Sequence, residues 1–103
     1  MSEKIKPIEL IHFIFDKNIT SVSMNDTDFT KDKYTVSLKR NEYNDYATHL
    51  EIDEIKEDGK LVMLYQIHFY EAMDISITDD TIVFLVQSSD GFGPDSKITI
   101  TYN

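Results

Sequence analysis

The sequence predicts a single domain that is all-β or β-dominant α+β, built as one antiparallel sheet or a small sandwich of about six strands around a central Asp-Gly hairpin. Its apolar residues are mostly β-branched or aromatic, and only two alanines occur among 103 residues, which favours strands over helices. A chain of this length can bury one hydrophobic core but not two. We therefore expect one domain over residues 1–103.

The central hairpin gives the strongest local signal. Two alternating runs, residues 46–56 and 61–71, flank the dipeptide Asp58-Gly59, which favours a tight two-residue turn. This turn would pair Leu50 with Ile67, Ile52 with Tyr65, and His49 with His68. One face of the hairpin is then apolar, as a core-facing sheet requires.

Shorter apolar or alternating runs predict the remaining strands, at residues 8–15, which resumes after a bend or bulge at 19–24, and at 34–39, 73–77, 82–86 and 97–102. The run 8–15 is apolar on both faces at a period of two, which is typical of a covered strand. We expect the first and last strands to lie at sheet edges. The Thr-rich segment 97–102 is then the easiest candidate for a docking edge for a partner strand, although edges are also commonly blunted or paired in a dimer.

Charge and composition exclude several classes of partner. The 19 acidic against 10 basic side chains give a net charge of −9, which would repel a phosphate backbone, so we expect no direct nucleic-acid binding. No apolar run approaches the length of a membrane span, so we expect no membrane association. The absence of cysteine and of a secretory-type leader favours a cytoplasmic location.

No catalytic motif is recognisable, so we expect a protein that is not an enzyme and has no cofactor. The predicted register brings His49 and His68 together, with Glu51 one step along the same face. This combination resembles the nitrogen and oxygen ligands of a transition-metal site. Polar residues on a solvent-facing sheet would look the same, and no metal site is predicted.

Acidic residues cluster on the hairpin and form the predicted partner-binding face, together with an aromatic anchor in the glycine-containing loop 88–96. The predicted partner-binding residues are Glu51, Asp53, Glu54, Asp58 and Phe92. Such a face could compete for the basic groove of a nucleic-acid-binding protein, as small acidic inhibitors from mobile elements do, anti-CRISPR proteins among them. A solvated surface would have the same composition.

Part of the chain resembles the SecB-like export chaperones. Residues 8–25 resemble the opening strand of that family, with an apolar start, an Asp16-Lys17 step and a second alternating half. Residues 50–55 and 61–75, ending in Phe69-Tyr70-Glu71-Ala72-Met73, resemble the two long strands that follow. The resemblance implies an antiparallel sheet, homo-oligomerisation and apolar grooves that hold unfolded clients. The family's long C-terminal helix has no counterpart here, because residues 81–86 are strand-like.

The sequence therefore predicts a non-enzymatic module that binds a protein partner. The first hypothesis is a SecB-like chaperone that holds unfolded or partner polypeptides. The alternative is a small acidic inhibitor that blocks a basic groove. The two differ in their expected response to salt, because charge pairing is screened and apolar contact is not.

Overall fold

The computed structural model describes residues 3–25, 27–29, 33–87 and 95–103. In these ranges the chain forms nine strands and one α-helix. They are β1 (Glu3–Ile5), α1 (Pro7–Phe13), β2 (Ile19–Met24), β3 (Thr27–Asp28), β4 (Tyr34–Asn41), β5 (Tyr46–Ile55), β6 (Leu61–His68), β7 (Met73–Ile77), β8 (Thr81–Val86) and β9 (Ser96–Tyr102). Short 3-10 helices follow α1 at Ile14–Asp16 and β6 at Phe69–Glu71. The expected β-dominant class is confirmed.

The strands form two antiparallel sheets around one hydrophobic core. The larger sheet has the order β1-β7-β8-β9-β2-β3, and the smaller one has the order β4-β5-β6. Fully buried side chains from both sheets and from α1 belong to a single cluster: Leu10, Ile11, Ile14, Val22, Leu50, Ile52, Phe69, Phe84, Ile98 and Ile100. Both sheets are therefore stabilised by the same core.

The prediction of a strand over residues 8–15 is wrong, because α1 and the following 3-10 helix occupy these residues. Pro7 occupies the first turn, and the Glu9 carboxylate accepts a hydrogen bond from the Lys6 backbone N–H at 3.3 Å, both of which favour a helix start. Leu10 and Ile14 lie one helical turn apart and are fully buried. A run this rich in apolar residues satisfies both the strand and the helix period. Within the described ranges, no helix is long and apolar enough to cross a membrane.

The predicted edge position of the last strand is also wrong. β9 lies inside the larger sheet, where Ile100 pairs with Val22 of β2 on one side and with Ile82 of β8 on the other. Ile98 and Ile100 are fully buried. Because both neighbours use the backbone groups of β9, this strand offers no edge to a partner.

The hairpin turn has three loop residues, not the predicted two. The Gly59 N–H donates to the Lys56 carbonyl at 2.8 Å, and Gly59 has a φ of 84°, as in a type I turn followed by a left-handed residue. Ile55 therefore pairs with Leu61.

A bulge at Leu64 then shifts the hairpin register by one residue. Beyond it, Ile52 pairs with Tyr65, Leu50 with Ile67 and His49 with His68, as predicted. The three-residue turn and the bulge offset each other, so the pairing beside the core is correct although the turn is not.

Candidate protein-binding site

The open edge of the smaller sheet carries an uninterrupted run of exposed apolar side chains. β6 pairs with β5, and no other strand of the described residues pairs with its far side. Its first five residues are exposed by 57% (Leu61), 43% (Val62), 54% (Met63), 40% (Leu64) and 45% (Tyr65). Neighbouring side chains on a strand point to opposite faces. Both faces of this segment, Leu61–Tyr65, therefore contact solvent, and we call it the apolar edge.

The apolar edge is exposed because the end of the hairpin lies outside the core. On β5, Leu50 and Ile52 are fully buried, whereas Ile55 near the turn is 36% exposed. On β6, Ile67 is 3% exposed, whereas Leu61 is 57% exposed. The same two strands thus belong to the core at one end and to the surface at the other.

The backbone of the apolar edge is oriented to accept another strand. The Lys56 N–H donates to the Lys60 carbonyl at 2.8 Å, which makes these residues a hydrogen-bonded pair. Alternation beyond this pair directs the N–H and C=O groups of Leu61 and Met63 away from β5. β6 contains no Lys, Arg, Asp, Glu or Pro, the residues that commonly protect a sheet edge from pairing, and its bulge at Leu64 limits regular pairing to the residues before it. The apolar edge therefore offers both backbone hydrogen bonds and apolar contacts.

Glu54, one of the predicted partner-binding residues, is held by two lysines. Lys33 Nζ lies 3.4 Å from Glu54 Oε2, and Lys56 Nζ forms an ion pair with Oε1. The hydrogen bonds from Lys56 and then Lys33 lower the pKa of the Glu54 carboxyl. Two cations of the same chain therefore already neutralise this carboxylate.

The other predicted acidic residues occupy different surroundings on the same hairpin. Asp53 is only 7% exposed, and Glu51 is half-buried. Asp58 is exposed and accepts a hydrogen bond from the Lys60 backbone N–H at 3.0 Å, which stabilises the turn. Phe92 lies outside the described residues. The hairpin thus brings the four acidic residues onto one element but does not present them as one exposed face.

The two histidines predicted to meet across the hairpin do so. The ring centroids of His49 and His68 lie 5.0 Å apart, and Thr48 Oγ1 lies 3.0 Å from His49 Nδ1. Burial lowers the pKa of His49, and the charges of His68 and Lys39 lower it further, while Glu51 acts in the opposite direction. Among the described residues, no group of three or more His, Asp or Glu side chains is arranged to hold a metal ion.

The apolar edge was not among the residues predicted to bind a partner. A sequence signal for it exists, because Leu61–Tyr65 is a run of five consecutive apolar residues directly after a turn. A strand with only one covered face would alternate apolar and polar residues. The run shows that both faces are apolar, but it does not show whether a neighbouring element covers them.

Comparison with known proteins identified no relative of this chain. No protein-family model matches the chain, and no curated protein or solved structure is significantly similar to it. Its function is therefore inferred from its own residues.

Proposed function

We propose that this protein is a non-enzymatic protein-binding module that adds an extended apolar polypeptide segment to the open side of β6, in the manner of a chaperone that holds unfolded clients. The observation that carries this proposal is the apolar edge, with five consecutive side chains exposed by 40–57%. The largest apolar patch on a soluble protein, typically about 300–600 Å², is often a functional surface.

Strand addition explains how one edge could hold clients of different sequence. Hydrogen bonds from Leu61 and Met63 would be made to the client backbone, which is the same in every chain. Side chains on both faces of β6 would contact alternate client residues and favour apolar ones. Binding would therefore select extended, apolar segments, which unfolded chains expose and folded proteins bury.

The alternative, an acidic inhibitor of a basic protein groove, is supported by the net charge of −9. The hairpin residues support it less, because Glu54 is paired with two lysines and Asp53 is buried. The two functions respond differently to salt. Strand addition should change little between about 0.05 and 0.5 M salt, whereas charge-based capture should weaken strongly.

A binding titration with a matched pair of variants tests the proposal. The probe is a reduced and alkylated protein that stays unfolded in buffer, labelled for fluorescence anisotropy. Leu64→Lys places a charge on the apolar edge, and Ser37→Lys places the same charge on β4, the opposite edge of the same sheet. We expect the unaltered protein and Ser37→Lys to bind alike, and Leu64→Lys to bind at least about tenfold more weakly.

Two results would contradict strand addition at β6. The first is that the unaltered protein does not bind the unfolded probe. The second is that both lysine variants lose affinity equally, which would indicate an effect of overall charge. Binding that disappears at high salt would instead support the acidic inhibitor. Far-UV circular dichroism of each variant checks that the fold is intact.

A further inference from the structure

We infer that, when no client is bound, the apolar edge is covered by a second copy of this chain, in a two-fold dimer that pairs β6 with β6. This inference rests on the proposed function in one respect, because it assigns the same edge as the docking strand. It adds the partner that occupies the edge in the free protein, and hence a competition between self-association and client binding.

The amount of exposed apolar surface fits such a dimer. About half of each of the five side chains is exposed, which amounts to on the order of 500 Å² per copy. Pairing of the two strands covers the flank that each copy presents to the other and leaves both sheet faces open, so it would remove only part of this area, less than about 1,000 Å² in total, which is the range of weak and transient contacts. We therefore expect a weak, reversible dimer that a client can displace.

The strand is complementary to itself. An antiparallel pairing with its two-fold axis beside Val62 places Leu61 opposite Met63 of the second copy, so that the outward N–H and C=O groups of these residues meet, and Val62 opposite Val62 of the second copy. These pairs are apolar on both sides, and such cross-strand pairs stabilise a sheet. Lys60 would then lie opposite Leu64 of the second copy, so no like charges meet at the end of the pairing. The result is a continuous six-stranded sheet across the dimer.

The charge distribution explains why the contact would form at this edge. Each copy carries a net charge of −9, so two copies repel each other over most of their surfaces. β6 contains no Lys, Arg, Asp or Glu. The repulsion acts over a long range and is screened by salt, whereas the apolar contact is not. Dimerisation should therefore become tighter at higher salt, the reverse of what pairing of opposite charges would give.

Sedimentation equilibrium on the full chain, without any client, tests the inference. We expect the average mass to rise from that of one chain to that of two with increasing concentration, and the dissociation constant to fall when salt is raised. Leu64→Lys places a lysine opposite Lys60 of the second copy and should weaken the dimer at least about tenfold, because like charges then face each other across the strand pair. Ser37→Lys, which changes the net charge equally, should leave the dimer intact or tighten it slightly.

Three results would overturn the inference: a single-chain mass at every concentration, a dimer that Leu64→Lys leaves unchanged, or a dimer that both lysine variants disrupt equally. Leu61→Lys serves as a second edge variant if Leu64→Lys does not fold. The measurement is independent of the client titration. If the protein is a single chain at every concentration but still binds the unfolded probe, the dimer is contradicted and the proposed function is kept. If it forms the dimer but binds no probe, the proposed function is contradicted and the dimer is kept.

Discussion

The two edges of the smaller sheet, β4 and β6, differ in how their side chains are used. On β4, Tyr34, Val36 and Leu38 pack against the core, and the residues between them are Thr35 and Ser37. On β6, the five residues of the apolar edge are exposed on both faces. The side chains of one edge are thus used in the protein's own packing, whereas the other edge has no neighbouring strand among the described residues.

β4 is also anchored by a cation near its end. Arg40 Nε donates to the Phe15 carbonyl at 2.7 Å, and Arg40 Nη2 donates to the Lys17 carbonyl at 3.4 Å. These bonds connect the β4 edge to the segment that follows α1. Charged residues at a sheet edge discourage pairing with another chain, and β6 has none. Of the two edges, β6 is therefore the one that we propose for self-association and client binding.

The largest expected effect separates the two ends of β6. Ile67→Ala removes a side chain that is 3% exposed and should lower the free energy of unfolding by about 3 kcal/mol, because it leaves a cavity in the core. Leu64→Ala removes one that is 40% exposed and should cost less than about 0.5 kcal/mol in the monomer. Urea denaturation at low protein concentration measures both. Equal losses would mean that the apolar edge is already covered in a single chain.

A smaller effect tests the anchoring of β4. Arg40→Ala removes two hydrogen bonds to backbone carbonyls and should lower the free energy of unfolding by about 1 kcal/mol. Lys39→Ala is the matched control, because it removes the same charge from the neighbouring exposed position of β4 and should have little effect. Thermal and urea unfolding compare the two variants. If both cost the same, net charge and not the Arg40 contacts stabilises this edge.

The smallest effect is a pH dependence at the far end of the hairpin. The fold lowers the pKa of His49 from its ordinary value of 6.5, so the unfolded chain binds a proton more readily than the folded one. The contribution of this pKa difference to the free energy of unfolding is fully present above pH 6.5 and is lost as the pH falls through the lower pKa of His49 in the folded state. An NMR titration of the ring should give a midpoint below 6.5. In Lys39→Ala the midpoint should rise slightly, since the charge of Lys39 on β4 is one of the causes of the lowered pKa of His49.

Much of the fold follows from local sequence patterns. The alternation of residues 73–77 and 82–86 predicts β7 and β8, and the acidic turn between them is closed by the Thr78 N–H, which donates to the Thr81 carbonyl at 2.8 Å. The hairpin of β5 and β6 follows from Asp58-Gly59 in the same way. These elements depend on residues a few positions apart, so they can be predicted from the local sequence alone.

The candidate site could be predicted only in part. The pairing of His49 with His68 was predictable, because an alternating apolar face fixes the register. The different surroundings of Asp53, which is buried, and Asp58, which is exposed, were not, because burial depends on elements distant in sequence. The apolar edge was visible as a run of apolar residues but not as a surface.

By itself, the sequence determined the β-dominant class, the hairpins and the register of the central strand pair beside the core, because strand propensity and alternation act over short distances. Only the tertiary structure decided that Pro7–Phe13 is a helix and that β9 lies inside a sheet. It also decided that the apolar edge lacks a strand on its far side among the described residues. Each of these depends on which element packs beside another, and a strand with two apolar faces looks the same in sequence whether it is covered or open.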